Sequence, residues 1–295
     1  MAGTAPSGLF ANVDDVADAL RDTGYIPSKA TATAVFLADR LGKPLLVEGP
    51  AGVGKTELAR ACAQAREARL VRLQCYEGID EARALYEWNH AKQILRIQSG
   101  SSGAWDETKS DVFSEEFLLP RPLLQAVREN GPTVLLIDEA DKADLEFEGL
   151  LLEVLSDYAV TVPELGTIVA ERKPLVFLTS NATRELSEAL KRRCLYLHID
   201  FPDTALELEI IRSRVPDLPR TQGEQLLRVI ERLRGMDLKK KPSVSESIDW
   251  ARTLLALGAA KNPNATLDRA ALASTLGVVL KHRSDIDTAV AALGL

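Results

Sequence analysis

Residues 49–56 read Gly49-Pro50-Ala51-Gly52-Val53-Gly54-Lys55-Thr56, a run of the form G-x-x-x-x-G-K-T whose residue types suit phosphate groups. Gly49, Gly52 and Gly54 allow backbone angles, and a closeness of approach, that a Cβ would forbid. Backbone N–H groups then turn inward as a nest for anions. Lys55 supplies a point charge for β- and γ-phosphates, and Thr56 a hydroxyl for Mg²⁺. A dinucleotide fingerprint is excluded, because Gly52-Val53-Gly54 would need a third glycine where Glu57 stands.

Three further groups fit the same chemistry. Asp138-Glu139 closes an apolar run, Thr133 to Ile137. Asp138 at a strand end can orient the water shell of Mg²⁺, and Glu139 can polarise a water for attack on a γ-phosphate. Asn181 ends a later apolar run, where a carboxamide can bond both the γ-phosphate and the attacking water. Leu186 to Cys194 predicts a short helix ending in Arg192 and Arg193. An arginine held at a rigid helix end can reach the phosphates of a neighbouring subunit. Lys191 and Arg192 would also compensate the helix dipole.

Alternating elements must hold these groups. Pro44–Glu48 predicts a buried strand leading into the glycine loop, and 55–63 a helix leaving it, so that phosphates meet a helix N-terminus. Before them come amphipathic helices over 13–21 and 29–41, the second capped by Ser28. Strands are predicted at 69–74, 133–137, 174–179 and 195–199. The 133–137 run is wholly apolar apart from Thr133, as suits the centre of a parallel sheet. Between the second and third strands lies a polar stretch, 76–117, with one helix over 81–97 and a flexible loop over 99–103; residues 123–127 belong to the helix before the third strand. A helix beginning near Asp144 carries Glu146 and Glu148 toward the positive end of its dipole. Residues 158–171 predict a hairpin. From Pro202 onward no strand is expected, and helices run over about 204–215, 222–234, 244–257 and 270–280. Lys239-Lys240-Lys241 falls in a loop between two of these, read as solvated.

The 295 residues suffice for one or two domains with a sizeable core. A formal net charge of −7 argues against a sequence-independent nucleic-acid binder, which would carry a basic footprint. Residues 1–8 have neither a basic start nor an apolar core, so no signal peptide is expected, and no apolar run is long enough for a transmembrane span. Cys62, Cys75 and Cys194 lack metal-ligand spacing and read as reduced thiols of a cytoplasmic protein. His90, His198 and His282 form no motif.

Taken together, these residues resemble the AAA+ ATPases. Gly49–Thr56 is similar to their Walker A segment, Val134–Glu139 to Walker B, Asn181 to sensor 1, and Arg193 to the arginine finger, with Arg192 as substitute. Within that group the segment "LLVEGPAGVGKT", the insert after the second strand, the "LLPRPLL" of Leu118 to Leu124 and the hairpin before Asn181 are similar to the MoxR family. Within it the chain resembles the CoxD type, associated with maturation of a molybdenum- and copper-containing carbon monoxide dehydrogenase.

The resemblance implies an α/β fold: a P-loop NTPase αβα sandwich with a five-stranded parallel sheet over residues 1–202, then a small all-helical lid over 203–295. It implies ATP and Mg²⁺ as cofactors and a homo-oligomeric, usually hexameric ring with nucleotide between subunits. Tyr25 and Ile26 would lie near the adenine, and Gln74 would be a polar switch holding Glu139 away in the idle site. A protein client, a metalloenzyme apoprotein, is implied, as is a von Willebrand A-type partner. One position departs from the pattern: Ser245 stands where MoxR-like lids carry a sensor 2 arginine, and Arg252, two turns later, is a substitute by position. The reading is an ATP-driven chaperone. Its rivals are a nucleotide-dependent recruitment module with little turnover and a nucleic-acid remodeller, the latter disfavoured by the charge.

Overall fold

Strands β5 (Thr133–Asp138) and β8 (Leu175–Ser180) are buried at every position, which requires a sheet covered on both faces. In the computed structural model, which describes residues 9–99, 111–258 and 267–294, they are two of the three inner strands of a five-stranded parallel sheet. Its other members are β1 (Leu45–Glu48), β2 (Arg69–Gln74) and β9 (Leu195–His198), in the order β2-β5-β8-β1-β9. Register is fixed along its length: Val47 faces Thr179, Ile137 faces Leu178, and Gln74 faces Asp138.

The two-residue period of a strand divides the core in two. Leu45, Val47, Val134, Leu136 and Phe177 point to one face, against helices Val13–Asp22, Lys29–Leu41 and Lys55–Ala65. Leu46, Leu135, Ile137, Val176 and Leu178 point to the other, against helices Pro122–Arg128, Leu145–Asp157 and Glu188–Arg193. The expected αβα sandwich is thus present. Beyond Asp203 the described residues form only helices, Thr204–Arg214, Arg220–Arg234, Val244–Ala256, Arg269–Thr275 and Arg283–Leu293, around a separate core centred on Trp250. The indole N–H of Trp250 donates to Thr275 Oγ1 at 2.7 Å.

Two expectations are corrected. The single helix over 81–97 is two, Glu81–Ala84 and His90–Ser99, separated by strand β3 (Tyr86–Trp88). β3 pairs antiparallel with β4 (Leu118–Pro120), and Trp88 packs edge-on against Phe113 at 5.2 Å. That pairing, made across an intervening 30 residues or so, overrides a local helical pattern. The helix over 270–280 stops at Thr275 and tightens into a 3-10 turn, and Arg283–Leu293 adds a helix the sequence reading did not include. Glu148 takes its expected place in the first turn of the helix Leu145–Asp157 and is also buried, 1% exposed. It accepts from Arg184 Nη2 at 2.5 Å and from the Ser187 backbone N–H at 2.8 Å.

Other elements keep their places. The hairpin is β6 (Ala159–Val162) with β7 (Gly166–Val169). The sequence expectations for residues 1–8 and for the loop beyond Ser99 lie outside the described residues. No described helix is long and apolar enough to cross a membrane.

Candidate functional site

The loop 49–54 lies between β1 and the helix Lys55–Ala65, and its three glycines all have positive φ: 154° at Gly49, 77° at Gly52 and 100° at Gly54. Two are also required by space. A Cβ on Gly49 would lie 1.9 Å from the Ile199 carbonyl oxygen, and one on Gly52 would lie 2.5 Å from Ser243 Cβ and Oγ. The loop therefore runs flush against β9's exit on one side and the helix Val244–Ala256 on the other.

Lys55 is 6% exposed. Its ammonium donates to the carbonyl oxygens of Gly49 (2.6 Å) and Pro50 (2.8 Å), and to Asn181 Oδ1 (2.8 Å). Burial pushes its pKa down, and the carboxylates of Asp141, Asp138, Glu139 and Glu48 push the other way. Thr56 Oγ1 donates to Asp138 Oδ1 at 2.9 Å, and Thr179 Oγ1 donates to the same oxygen at 2.6 Å. Arg72 donates to Asp138 Oδ2 through Nε (3.1 Å) and Nη2 (2.6 Å). Burial opposes the charge of Asp138, but these bonds hold its carboxyl below the usual range.

Glu139 follows with φ 57° and ψ 49°, a left-handed conformation uncommon outside glycine and frequent at functional positions. Its N–H donates to Thr179 Oγ1 at 2.8 Å. Its carboxylate accepts from Gln74 Nε2 at 2.9 Å and from Lys142 Nζ at 2.6 Å. Gln74 Oε1 accepts from Arg72 Nη2 at 2.5 Å, which sets its amide so that the nitrogen faces Glu139.

A cavity of about 730 Å³ opens over these groups, lined among others by Lys55, Thr56, Arg72, Asp138, Glu139 and Asn181. The parallel strand ends of β1, β5 and β8 thus bring the predicted lysine, threonine, two acids and asparagine together. A neighbouring cavity of about 470 Å³ is lined by Tyr25, Ile26, Val53, Gly54 and Arg252 among others. Ser245, placed between them, borders both cavities. Its N–H and hydroxyl approach the Gly52 carbonyl oxygen at 3.4 Å. Arg252 borders only the second and pairs with Asp249 at 3.5 Å. Arg192 and Arg193 are exposed at the end of the helix Glu188–Arg193 and line neither cavity.

The thiols of Cys62, Cys75 and Cys194 are pushed up by burial, those of Cys75 and Cys194 to about 12. Lys240 is not merely solvated, since its Nζ bonds Glu246 Oε1 at 3.0 Å.

The sequence reading missed Arg72, Lys142 and Asp141. For Arg72 a signal existed: strand alternation places Arg72 on the same side of β2 as Gln74, which faces Asp138 in register. Lys142 lies three residues after Glu139, within helical reach.

The pair Thr56 and Asp138 offers two hard oxygen donors beside the glycine loop, which fits Mg²⁺, a cation usually held by one or two protein oxygens plus phosphates and water. Among the described residues there is no cluster of three or more His, Cys, Asp or Glu that would make an all-protein metal cage.

Comparison with known proteins places this geometry in context. The profile of the AAA domain (dynein-related subfamily) matches residues 44–194. The gas vesicle ATPase GvpN of Haloferax mediterranei is 26% identical over 203 residues, 66% of this chain and 57% of that protein. The chain therefore spans less than two-thirds of the length of that relative. An uncharacterized protein of Staphylococcus aureus strain bovine RF122 / ET3-1 is 27% identical over 224 residues, 74% of this chain and 77% of its own. Among solved structures, the RuvB Holliday junction branch migration motor of Thermotoga maritima aligns over 94% of this chain and 69% of its own, with 15% identity and a TM-score of 0.45.

Proposed function

The chain belongs to the dynein-related subfamily of AAA domains, and from that membership we propose that it binds ATP with Mg²⁺ and hydrolyses it. The observation that carries the reading is the convergence of Lys55, Thr56, Asp138, Glu139 and Asn181 on one cavity beside the glycine loop. Backbone N–H groups of the loop and Lys55 bind the phosphates, and Asn181 orients the γ-phosphate and the water. Thr56 and Asp138 would hold Mg²⁺, which supplies charge neutralisation to the β- and γ-oxygens. Glu139 takes the proton of the attacking water as its oxygen bonds the γ-phosphorus. The bond from that phosphorus to the bridging oxygen breaks, and ADP leaves with the electron pair.

Tyr25 and Ile26 suit the base, in the cavity beside Gly54. The helices after Asp203 act as a lid: Arg214 pairs with Glu57 at 2.6 Å, and Ser245 meets Gly52. Ser245 then reads the loop through its carbonyl, and Arg252 serves the base cavity rather than the phosphates. Arg193, or Arg192, acts on a neighbouring subunit's nucleotide in a ring, hexameric by the family resemblance. Gln74 holds Glu139 in the idle site, as their 2.9 Å bond supports.

The work done is remodelling of a protein client. A metalloenzyme apoprotein, in particular of the molybdenum–copper carbon monoxide dehydrogenase type, and a von Willebrand A-type partner are supported by the MoxR and CoxD resemblance of the segments quoted above. A second reading, a recruitment module with little turnover, is favoured by the double restraint of Glu139 by Gln74 and Lys142.

The test is steady-state ATPase activity against protein concentration, with molecular size followed in parallel. The expected outcome is specific activity that rises with assembly. Arg193→Ala should assemble yet lose about 10-fold or more, since fingers contribute on the order of 10³–10⁵ in rate. Activity from a monomer, independent of concentration, would remove the arginine from the mechanism. No activity in any assembled form would favour the recruitment module.

A further inference from the structure

Asp141 belongs to none of the roles above, yet it is 3% exposed and lies directly behind the site. It sits in the 3-10 turn Ala140–Lys142 that follows Glu139. One oxygen, Oδ2, accepts three hydrogen bonds from the strand end that carries Asn181. They come from the Asn181 N–H (3.2 Å), the Thr183 N–H (3.0 Å) and the Thr183 hydroxyl (2.6 Å). The other oxygen, Oδ1, is buried and has no hydrogen-bond partner among the described residues.

Between Asn181 and Thr183 the chain passes through Ala182 at φ 56°, a left-handed conformation that strains an alanine. The turn so made wraps two backbone N–H groups and a hydroxyl around one carboxylate oxygen, and those charge-assisted bonds offset the strain. Their effect is to fix where Asn181 leaves β8. The Asn181 side chain, in turn, meets Lys55 at 2.8 Å. Among the charges around Lys55, Asp141 gives the largest upward push, set against the downward push of burial. Burial also opposes the charge of Asp141 itself, and the bonds from Thr183 and Asn181 hold its carboxyl below the usual range.

We infer that Asp141 is a positioning residue for the proposed ATP hydrolysis, ties the turn after Glu139 to the strand end bearing Asn181, and thereby sets the Asn181 carboxamide against Lys55 and the γ-phosphate. The inference rests on the hydrolysis reading, and it concerns the chemical step rather than nucleotide capture, because the loop N–H groups and Lys55 remain in place without it. Asparagine at this position can still present an oxygen to the three donors, with its amide nitrogen where Oδ1 lies. Alanine cannot.

The experiment compares Asp141→Asn and Asp141→Ala in the full chain by three readouts: kcat and KM for ATP, affinity for a fluorescent anthraniloyl ATP, and amide hydrogen exchange at Asn181 and Thr183. Asp141→Ala should lower kcat by roughly 10- to 100-fold, the scale of a small misplacement of a catalytic group. Its affinity for the analogue should stay within about threefold, and its exchange at the two amides should rise at least about tenfold. Asp141→Asn should restore most of the kcat and the exchange protection. In a double-mutant cycle, Asp141→Ala should add little to Asn181→Ala, because one acts through the other.

Unchanged exchange in Asp141→Ala would overturn the inference whatever the turnover. So would faster exchange with kcat unchanged, or full additivity with Asn181→Ala. Absence of turnover in the parent chain would instead refute the hydrolysis reading. Positioning of Asn181 would then stand or fall on exchange alone.

Discussion

At the scale of residues, the site depends on a backbone that only glycine permits. Gly49 combines φ 154° with a Cβ position 1.9 Å from the Ile199 carbonyl oxygen, and a backbone oxygen cannot swing away as a side chain would. Gly49→Ala should therefore lower stability by at least about 2 kcal/mol, the scale of a strained backbone position, and abolish binding of a fluorescent ATP analogue. Urea unfolding and a binding titration check this; a variant with the parent's midpoint and affinity would show that the loop is looser than its geometry. Glycine, lysine and threonine were readable in sequence because their spacing is local. The partners of the acids were not. Arg72 lies 66 residues from Asp138, and an arginine on an edge strand ordinarily faces solvent. Asp141 belongs to no local motif, and its burial arises only when β8 delivers Asn181 and Thr183 to it.

Among elements, the helix Val244–Ala256 has most to do with how the C-terminal part meets the loop. Ser243 caps it and Glu246 completes a capping box, with the Ser243 N–H donating to Glu246 Oε2 at 2.8 Å. The same Ser243 packs where a side chain on Gly52 would be, so the cap and the glycine loop share one joint. Burial opposes the charge of Glu246, but the Ser243 backbone N–H and Lys240 hold its carboxyl below the ordinary 4.5. With a folded pKa below the unfolded one, the unfolded chain binds more protons across that interval, so stability rises with pH there. The carboxylate's contribution is present at neutral pH and is lost as pH falls below 4.5 through the lower folded value. Denaturation at pH 7 and near pH 4 should show the parent losing more stability over that interval than Glu246→Gln. Equal losses would mean that the capping carboxylate is unperturbed in solution.

Elements with a strong period, such as β5, β8 and the helix Lys29–Leu41, were readable from the sequence within a residue or two. The stretch after β2 was not, since β3 and β4 are three residues each and owe their form to one another and to Trp88, not to a pattern of their own.

For the whole molecule, the sheet order places β1, β5 and β8 side by side, and so gathers groups more than a hundred residues apart in sequence at one edge, as Lys55 and Asn181 are. This gathering was readable in sequence only through the resemblance to AAA+ ATPases, because strand order is not a local property. The exposed Arg192 and Arg193 line neither cavity of their own chain, so the proposed finger needs a second copy of the chain. In the proposed mechanism, the second restraint on Glu139, from Lys142, must give way on ATP binding so that the carboxylate can reach the water.

The most direct measurement of the central claim is ATP turnover and ATP-analogue affinity in the parent and in Glu139→Gln, both in assembled form with Mg²⁺. Removal of the base should leave affinity within about threefold while turnover falls by about 10²–10⁴-fold, the usual contribution of a general base. Glu139→Gln with the parent's turnover would contradict the role of Glu139, and with it the account of this cavity as a site of ATP hydrolysis.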